Sequence, residues 1–313
     1  MKTLLFAVAR PLLAARVPGA PSGLAPDTES EAALRLIASA CRDDLLKHRD
    51  LVLASGDAEG IHQTRVALRR LRAAFSMFRP VLEDEAGQRE VRALAAEAKW
   101  LAAACGPARD LHVFLTETVV DVPSAIDKVG KRLARSHLER ARAALSGARF
   151  AAFDHQLASF IGQAPDAAGH RLDDFGRAVL DQRHHDVAHR GRKIDGLGRA
   201  RLHRLRIAIK KLRYAADFLQ PAFVPQAFAS GAAKAYIEAT TRLQSALGAL
   251  NDRAVAGQMI ADIAVAALPT EDVDGPLRKL ARQAESGDKR RRRRLTRAWK
   301  DFRKVERFWR ATQ

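Results

Sequence analysis

Cysteines, aromatic residues and long uncharged stretches are all scarce in this sequence. The two cysteines, Cys41 and Cys105, are too few among 313 residues for a disulfide framework, and they favour a reducing compartment. No uncharged apolar run approaches the roughly 20 residues that cross a bilayer as a helix. Aromatic residues make up only 6% of the chain, whereas alanine, leucine and arginine dominate, which is typical of helical proteins. We therefore expect a cytoplasmic, helical protein without a membrane span.

Acidic residues are also too few to balance the basic ones. The chain has 36 aspartates and glutamates against 54 lysines and arginines, so its formal net charge is +18. A charge of this size favours polyanionic partners, which include nucleic acid, an anionic membrane surface and a phosphate polymer. The length gives room for one large domain or two smaller ones, with enough apolar residues for a core.

The sequence lacks the motifs of common catalytic sites. It has no Gly-x-x-x-x-Gly-Lys-(Ser/Thr) loop, no Gly-x-Ser-x-Gly and no paired-carboxylate motif. His185 and His189, with Asp181 one turn earlier, have a spacing that can ligate zinc or nickel. No firm further ligand accompanies them, so we favour a solvated basic helix face. We therefore expect a non-enzymatic protein that uses no metal and no cofactor.

Residues 1–28 are expected to form an arm and a linker. Lys2 and the apolar residues after it could begin a secretory signal peptide. However, Arg10 and Pro11 interrupt the apolar run and Arg16 follows it, so we favour the arm.

From about Glu29 onward, apolar residues recur at helical spacing and convincing strand alternation is absent. Clusters of turn-forming residues, such as those at 54–60, 105–110 and 162–170, separate segments of ordinary helix length. The sequence therefore predicts an all-α protein.

One basic stretch occurs twice. Residues 62–72 read "HQTRVALRRLR" and residues 203–213 read "HRLRIAIKKLR", with an offset of 141 that also relates Pro80 to Pro221. A later block, at an offset of 142, pairs Gly106 with Gly248. The repeat thus spans several helices and predicts duplication of one multi-helix unit. We expect two related helical bundles, at 29–165 and 166–313.

Each basic stretch forms a cationic stripe when it is placed on a helix at ~100° per residue. The first stripe consists of His62, Arg65, Arg69, Arg72 and Arg79. The second consists of His203, Arg206, Lys210 and Arg213. Arg70 and Lys211 point away from the stripes and are expected to be outer contacts. An apolar stripe lies beside each cationic one, formed by Ala67, Leu68, Leu71, Ala74, Phe75 and Phe78, and by Leu205, Ala208, Ile209, Leu212, Ala216 and Leu219.

The stripes have the chemistry of an anion site. No acidic residue occurs within 62–79, although like charges three and four residues apart repel each other on a helix. A solvated basic face is the alternative for one such helix, but it explains two copies in the same phase less well. The planar arginine fork suits phosphate oxygens, because it can donate two parallel hydrogen bonds.

Three details of the pattern have open alternatives. The leading histidines either donate a hydrogen bond to an anion or cap the start of their helix. Asp110 and Asp252, which follow presumed helix-ending glycines, either cap the next helix or hold an arginine of the stripe. The run "KRRRRR" at 289–294 is either a solvated helix segment or a further polyanion contact, and its charges are expected to cover all sides of a helix.

Basic residues on the preceding helix of each copy extend the pattern. They lie seven residues apart, on one helix face, and are expected to line the same surface as the stripes. These candidates are Arg42, Arg49, Arg183 and Arg190.

Five segments resemble a known family. "IHQTRVALRRLRAAFSMFRPVL" at 61–82 and "LHRLRIAIKKLRYAADFLQPAF" at 202–223 resemble the two signature helices of the CHAD family, the conserved histidine α-helical domain. "GPARDLHVF" resembles its Gly-x-x-Arg-Asp motif, "RLQSALGALNDRAV" its Leu-Gln-x-x-Leu-Gly-x-x-Asn-Asp motif, and "WKDFRKVERFW" its closing Trp/Phe element. The first glycine motif departs from the family in having cysteine where leucine usually precedes the glycine.

The resemblance covers roughly residues 29–310 and carries expectations about fold and function. It implies two pseudo-symmetric bundles around a basic central channel, and binding of inorganic polyphosphate, often at polyphosphate granules. Family members are often fused to a CYTH domain, but its Glu-x-Glu-x-Lys motif has no good match here, since "EDEAG" at 83–87 lacks the lysine. We therefore expect a standalone domain that binds polyphosphate through the stripes.

The sequence leaves two alternatives to polyphosphate binding open. One is a non-specific nucleic-acid-binding protein, although the stripes have no interleaved aromatic residue except Tyr214 for stacking on bases. The other is an accessory or regulatory module for an enzyme that processes phosphoanhydrides.

Overall fold

The computed structural model describes residues 23–119, 122–165, 170–223, 231–285 and 288–310, with the backbone alone at 117–118, 251–254, 284–285 and 288. It confirms the all-α prediction, because these residues form helices and contain no β-strand, only an isolated bridge. The α-helices of the described part are α1 (Ser30–Ser55), α2 (Ala58–Phe78), α3 (Glu85–Ala104), α4 (Gly106–Val113), α5 (Ser124–Ser146), α6 (Ala148–Gly162), α7 (Leu172–Arg190), α8 (Arg199–Leu219), α9 (Ala232–Ala266), α10 (Asp274–Glu285) and α11 (Asp288–Lys304).

The two basic stretches occupy helices of equal length. Helices α2 and α8 have 21 residues each, and both their first and their last residues lie 141 positions apart, in agreement with the offset of the repeat. A short 3-10 turn that contains Pro80 or Pro221 follows each helix. Proline has no backbone N–H to continue the ladder, so both helices end at the corresponding position.

The beginnings of the two halves lie side by side. Glu29 and Arg171 form an isolated antiparallel bridge just before α1 and α7. The amide of Ser30 donates to the carbonyl of His170 at 2.9 Å, and the amide of Leu172 donates to the carbonyl of Thr28 at 2.8 Å. The bonds tie the starts of α1 and α7 together, close to the boundary that the sequence predicts between 165 and 166.

The glycine motifs differ between the halves. In the first half, α3 ends at Ala104 and α4 begins at Gly106, after a turn at Cys105. In the second half, α9 continues through Gly248 without a break, so the prediction of a helix-ending glycine is wrong there. Pro107 explains the difference, because its ring and missing N–H break a helix, whereas alanine stands at the matching position 249.

The core extends through both halves. All members of the two predicted apolar stripes are buried, which confirms that this face of α2 and of α8 points inward. Phe75 of α2 packs edge-to-face on Phe160 of α6 at 5.7 Å between ring centroids, and Phe78 lies 5.0 Å from Phe175 of α7. A smaller apolar cluster, which includes Leu111, joins α4 and α5 to the end of α9 and to α10. Helices of both halves therefore share their cores.

The cysteines belong to the core. Both Cys41 and Cys105 are free and buried, and burial raises the pKa of each thiol to about 11. Such thiols are structural rather than reactive. Within the described residues, no helix has the combination of length and hydropathy that a bilayer crossing requires.

Candidate anion-binding site

The basic stripes of the two halves lie against each other, because α2 packs on α8. Lys210 of α8 marks the place where they meet. Burial, together with the positive charges of Arg206, Arg69, Arg213 and Arg65, lowers the pKa of its ammonium to about 8. Two of these arginines belong to α2 and two to α8, so the fold brings cations from both copies into one cluster.

Two arginines of this cluster have an unsatisfied donor. The Nε atoms of Arg69 and Arg206 are buried, and neither finds a hydrogen-bond acceptor among the described residues. A buried donor without an acceptor costs free energy, and the cost is larger when the group is charged. Arg69 lies on α2 and Arg206 on α8, so an unsatisfied guanidinium donor occurs once in each half, although the two positions do not match in the repeat.

Arg65 is held in place by the first glycine motif. Its Nη1 donates to the carbonyl of Ala102 at 2.9 Å, and its Nη2 lies 3.6 Å from Oδ1 of Asp110. A Cβ atom at Gly106 would lie 2.6 Å from Nη1, so glycine provides the space for the guanidinium. Of the two roles considered for Asp110, contact with an arginine of the stripe is the one this geometry favours.

The leading histidines do not cap their helices. Helix α2 begins at Ala58, and the carboxylate of Asp57 accepts from the amide of Gly60 at 2.6 Å. Helix α8 begins at Arg199, four residues before His203. Each histidine therefore lies one turn inside its helix and is not its N-cap residue.

His62 lies among the cations of the first stripe. It is half-buried, and burial together with the charge of Arg109 lowers the pKa of its imidazole, with smaller contributions from Arg69 and Arg65 in the same direction. A lowered pKa keeps the ring neutral near pH 7, where one ring nitrogen still carries a donor N–H.

His203 lines an open cleft instead. This α8 cleft has a volume of about 590 Å³ and lies between the start of α8 and the middle of α9. Its lining residues are Arg199, Ala200, Leu202, His203, Arg204, Arg206, Leu247 and Leu250. Comparison of the repeats missed Arg199 and Arg204, because alanine and glutamine stand at the matching positions 58 and 63. Only the neighbouring helix α9 makes them part of a cleft.

Arg213 is tied to its own half. Its Nε donates to Oε1 of Gln244 at 2.9 Å, and its Nη1 donates to Oδ2 of Asp217 at 2.7 Å. Asp217 is buried, and burial raises the pKa of its carboxyl group although Arg213 and Arg70 act in the opposite direction. The guanidinium of Arg213 also covers the ring of Tyr214, 4.7 Å from its centroid. Arg213 is therefore a flanking member of the cluster.

Arg70 is buried, although the sequence predicts that it is an outer contact. Only 3% of the residue is exposed, and its guanidinium lies over the ring of Phe218, 4.9 Å from the centroid. The reason is that this face of α2 is the one that packs against α8. Lys211, at the matching position, is exposed as expected.

The arginines of α1 lie apart from the cluster, contrary to the expectation that they line it. Arg42 forms a bidentate pair with Asp154 of α6, with N···O distances of 2.7 and 2.9 Å. Arg49 donates from Nε to the carbonyl of Leu145 at 2.8 Å and covers the ring of Phe150. Both side chains fasten α1 to α5 and α6.

The two arginines of α7, Arg183 and Arg190, have different surroundings. Arg183 donates from Nη1 to the carbonyl of Lys211 at 2.7 Å, and burial lowers its pKa to about 10. Its contact is with the backbone of α8 and not with the stripe. Arg190 is exposed at the last residue of α7.

The histidines of α7 do not form a metal site with Asp181. The rings of His185 and His189 stack with centroids 6.3 Å apart. The carboxylate of Asp181 accepts from Nε1 of Trp309 at 2.9 Å and pairs with Arg310 at 2.8 Å. Among the described residues, no group of three or more histidine, cysteine or acidic side chains is arranged to hold a metal ion. Asp181 instead anchors the closing aromatic segment to α7.

Comparison with known proteins adds family evidence. The sequence model of the CHAD domain matches residues 36–261. The fold is similar to the crystal structure of the CHAD domain from the plant Ricinus communis, with a TM-score of 0.77 and 24% identity over 90% of this chain and 94% of that one. It is also similar to PptA from Streptomyces chartreusis, with a TM-score of 0.58 and 15% identity over 89% and 99% of the two chains.

At these identities the structural likenesses establish the fold alone. No curated protein matches the sequence significantly. The match to the family model nevertheless extends over residues 36–261, well over half of the 313. The chain therefore belongs to the CHAD domain family.

Proposed function

We propose that the protein binds inorganic polyphosphate in the cluster where the stripes of α2 and α8 meet. Arg69, Arg206 and Lys210 contact phosphate oxygens directly. Arg65 lies beside them in a fixed position, and Arg72 and Arg213 flank the cluster. His62 and His203 donate hydrogen bonds at its two ends. Through this binding the protein is held at polyphosphate granules.

One observation supports the proposal above the others. The Nε atoms of Arg69 and Arg206, one from each half, are buried without an acceptor beside the half-buried ammonium of Lys210. Packing several cations together without counter-charge is unfavourable, since the charges repel each other and lose hydration. A bound polyanion supplies both the missing acceptors and the missing negative charge.

The surroundings of the cluster favour a phosphate polymer without bases over nucleic acid. The repeated stretch of α8, residues 203–213, contains no aromatic residue, and Tyr214 follows directly after it. Tyr214 is buried, it stacks on Phe218 with centroids 6.2 Å apart, and Arg213 covers its ring. Binding of single-stranded nucleic acid usually relies on exposed rings that stack on bases. A polymer that consists of phosphate groups alone needs no such ring.

The test is a competition titration with the Arg69→Gln/Arg206→Gln/Lys210→Gln variant. Labelled long-chain polyphosphate bound to the protein is displaced by unlabelled polyphosphate or by DNA at physiological salt. Hydrogen bonds to charged groups contribute about 1.5–3 kcal/mol each, so losing three should weaken polyphosphate binding at least about a hundredfold. DNA should compete far less well at equal phosphate concentration.

A matched control removes the same charge from α10. Arg278, Lys279 and Arg282 are exposed there, and none of them lines the α8 cleft. Their replacement by glutamine should change the affinity by no more than about threefold, because exposed charges are screened. Equal weakening in the two variants, or equal competition by DNA, would reject the proposal. Unfolding curves confirm that both variants are folded.

A further inference from the structure

Helix α11 carries a third basic stripe, which the proposed polyphosphate site leaves unused. One face of the helix packs into the core through Leu295, Ala298, Trp299 and Phe302. The opposite face carries exposed cations at helical spacing, which are Arg290, Arg293, Arg294, Arg297 and Lys300. The sequence predicts that the charges of 289–294 surround the helix. Packing of α11 on the core instead leaves most of them on the outer side.

The stripe forms one wall of a cleft between α9 and α11. This arginine cleft has a volume of about 520 Å³. Its lining residues are Ala249, Arg290, Arg291, Arg293, Arg294 and Arg297. Like charges at three- and four-residue spacing repel each other, so α11 accepts the same unfavourable arrangement as α2 and α8. A cleft walled by guanidinium groups is chemically suited to an anion with many phosphate oxygens.

The arginine cleft and the α8 cleft border the same part of α9. Helix α9 packs against both α8 and α11. Leu247 and Leu250 line the α8 cleft, whereas Ala249 lines the arginine cleft. These residues fall within one turn of α9, and each residue advances a helix by about 1.5 Å.

A third cleft on the far side of α11 has mixed charge. It has a volume of about 550 Å³ and shares Arg293 and Arg297 with the arginine cleft. Asp195 also lines it, and its carboxylate accepts a hydrogen bond from the hydroxyl of Thr296. A carboxylate repels phosphate, so the cationic path ends at the arginine cleft.

We propose that the arginine cleft is a second subsite for a long polyphosphate chain, which crosses α9 at Ala249 after leaving the α8 cleft. This inference rests on the proposed function, since the first segment of the chain occupies the cluster around Lys210. Two subsites joined by one polymer act together, because binding at the first raises the effective concentration of phosphate at the second. The protein therefore selects long chains over short ones, and α11 sets that preference.

The test compares long-chain polyphosphate with tripolyphosphate, which is too short to span both clefts. The Arg290→Gln/Arg293→Gln/Arg294→Gln variant should bind long chains at least about tenfold more weakly, because it loses the multivalent second contact. It should bind tripolyphosphate within about twofold of the unchanged protein, since that ligand is held at the first subsite alone. Glutamine maintains the helix, because its propensity is close to that of arginine.

The control variant Arg278→Gln/Lys279→Gln/Arg282→Gln removes equal charge from α10, where all three residues are exposed and line none of the three clefts. It should leave the preference for long chains intact. The subsite is rejected if both variants weaken long-chain binding equally, or if the α11 variant loses both ligands equally. Failure of the unchanged protein to bind either ligand would instead reject the proposed function, so the two failures are distinguishable.

Discussion

Arg65 of α2 and Arg206 of α8 stand at matching positions of the two halves, yet their surroundings differ. Arg65 donates to the carbonyl of Ala102 and lies near Asp110, and only 18% of its side chain is exposed. Arg206 lines the open α8 cleft, and its buried Nε has no acceptor within the part of the chain that the structure describes. The same residue type is thus fixed by its own protein in one half and open to a ligand in the other.

The break between α3 and α4 accounts for this difference. Pro107 ends the continuity of the helix, so the carbonyl of Ala102 and the carboxylate of Asp110 turn toward Arg65. Ala249 allows α9 to continue, and its carbonyls remain within the helix ladder. The difference between Pro107 and Ala249 therefore accounts for the partners that Arg65 has and Arg206 lacks.

A second difference concerns the neighbouring position. Arg70 is buried over Phe218, whereas Lys211 is exposed. Asp217 provides a buried carboxylate in the second half, where Ser76 stands exposed in the first. The contact between halves is consequently asymmetric although the sequence pattern is repeated. The comparison teaches that duplicated cations can diverge between buried and exposed positions without any change in the boundaries of the helices that carry them.

The largest expected effect is a loss of stability in the variant Arg70→Ala, which is compared with the variant Lys211→Ala at the matching position. Removing Arg70 takes away a buried guanidinium and leaves the carboxylate of Asp217 with one cation fewer nearby, which should lower the free energy of unfolding by about 3 kcal/mol. Lys211→Ala should change it by no more than about 0.5 kcal/mol, because the residue is exposed. Urea unfolding midpoints measure both. Similar losses in the two variants would contradict the asymmetric contact between the halves.

Gly106→Ala and Gly248→Ala should have opposite consequences. A Cβ at position 106 would displace the guanidinium of Arg65, so polyphosphate binding should weaken severalfold, with a stability change within about 1 kcal/mol. A Cβ at position 248 meets nothing within 4 Å, and alanine in a helix interior should stabilise by about 0.5–1 kcal/mol with binding unchanged. Unfolding curves and affinity titrations on both variants measure this. Equal behaviour would show that Arg65 does not depend on the glycine.

The smallest expected effect is a pH dependence that originates in α8. The pKa of Lys210 in the folded protein is lowered to about 8 from an ordinary 10.5, so the folded chain loses this proton as pH rises through about 8, before the unfolded chain does. Stability without ligand should therefore increase between these values. Binding of a polyanion favours the protonated form, so affinity should fall above about pH 8, at most about tenfold per pH unit.

The variant Lys210→Arg isolates that contribution. Arginine retains its charge throughout this range, so the affinity of the variant should be nearly constant between about pH 7 and about pH 9.5. Titrations at several pH values compare the two proteins. If their pH slopes are the same, the proton on Lys210 is not linked to binding.

Helix type and the buried face of each signature helix followed from the sequence. Apolar spacing identified the inward faces of α2 and α8, since periodicity records which residues a helix buries. The cations whose charges act on Lys210 are members of the two predicted stripes, because they share an arc of each helix and recur in both copies.

Tertiary packing decided the rest. The angular position of a residue on an isolated helix does not reveal which neighbouring helix covers that residue. Arg70 was therefore expected at the surface, but it is buried. Arg42 and Arg49 belong to contacts with α5 and α6, which lie far away along the chain. Arg199 and Arg204 acquire their place in a cleft only through α9.

The sequence by itself determined that this chain is helical, duplicated in pattern and strongly cationic, because periodicity, repetition and charge are local properties of the chain. Only the tertiary structure decided which cations are locked, which face a cleft and which bind helices together. The physical reason is that a guanidinium responds to its surroundings. A nearby carbonyl, carboxylate or aromatic ring satisfies it, and a cleft leaves it free to bind an anion.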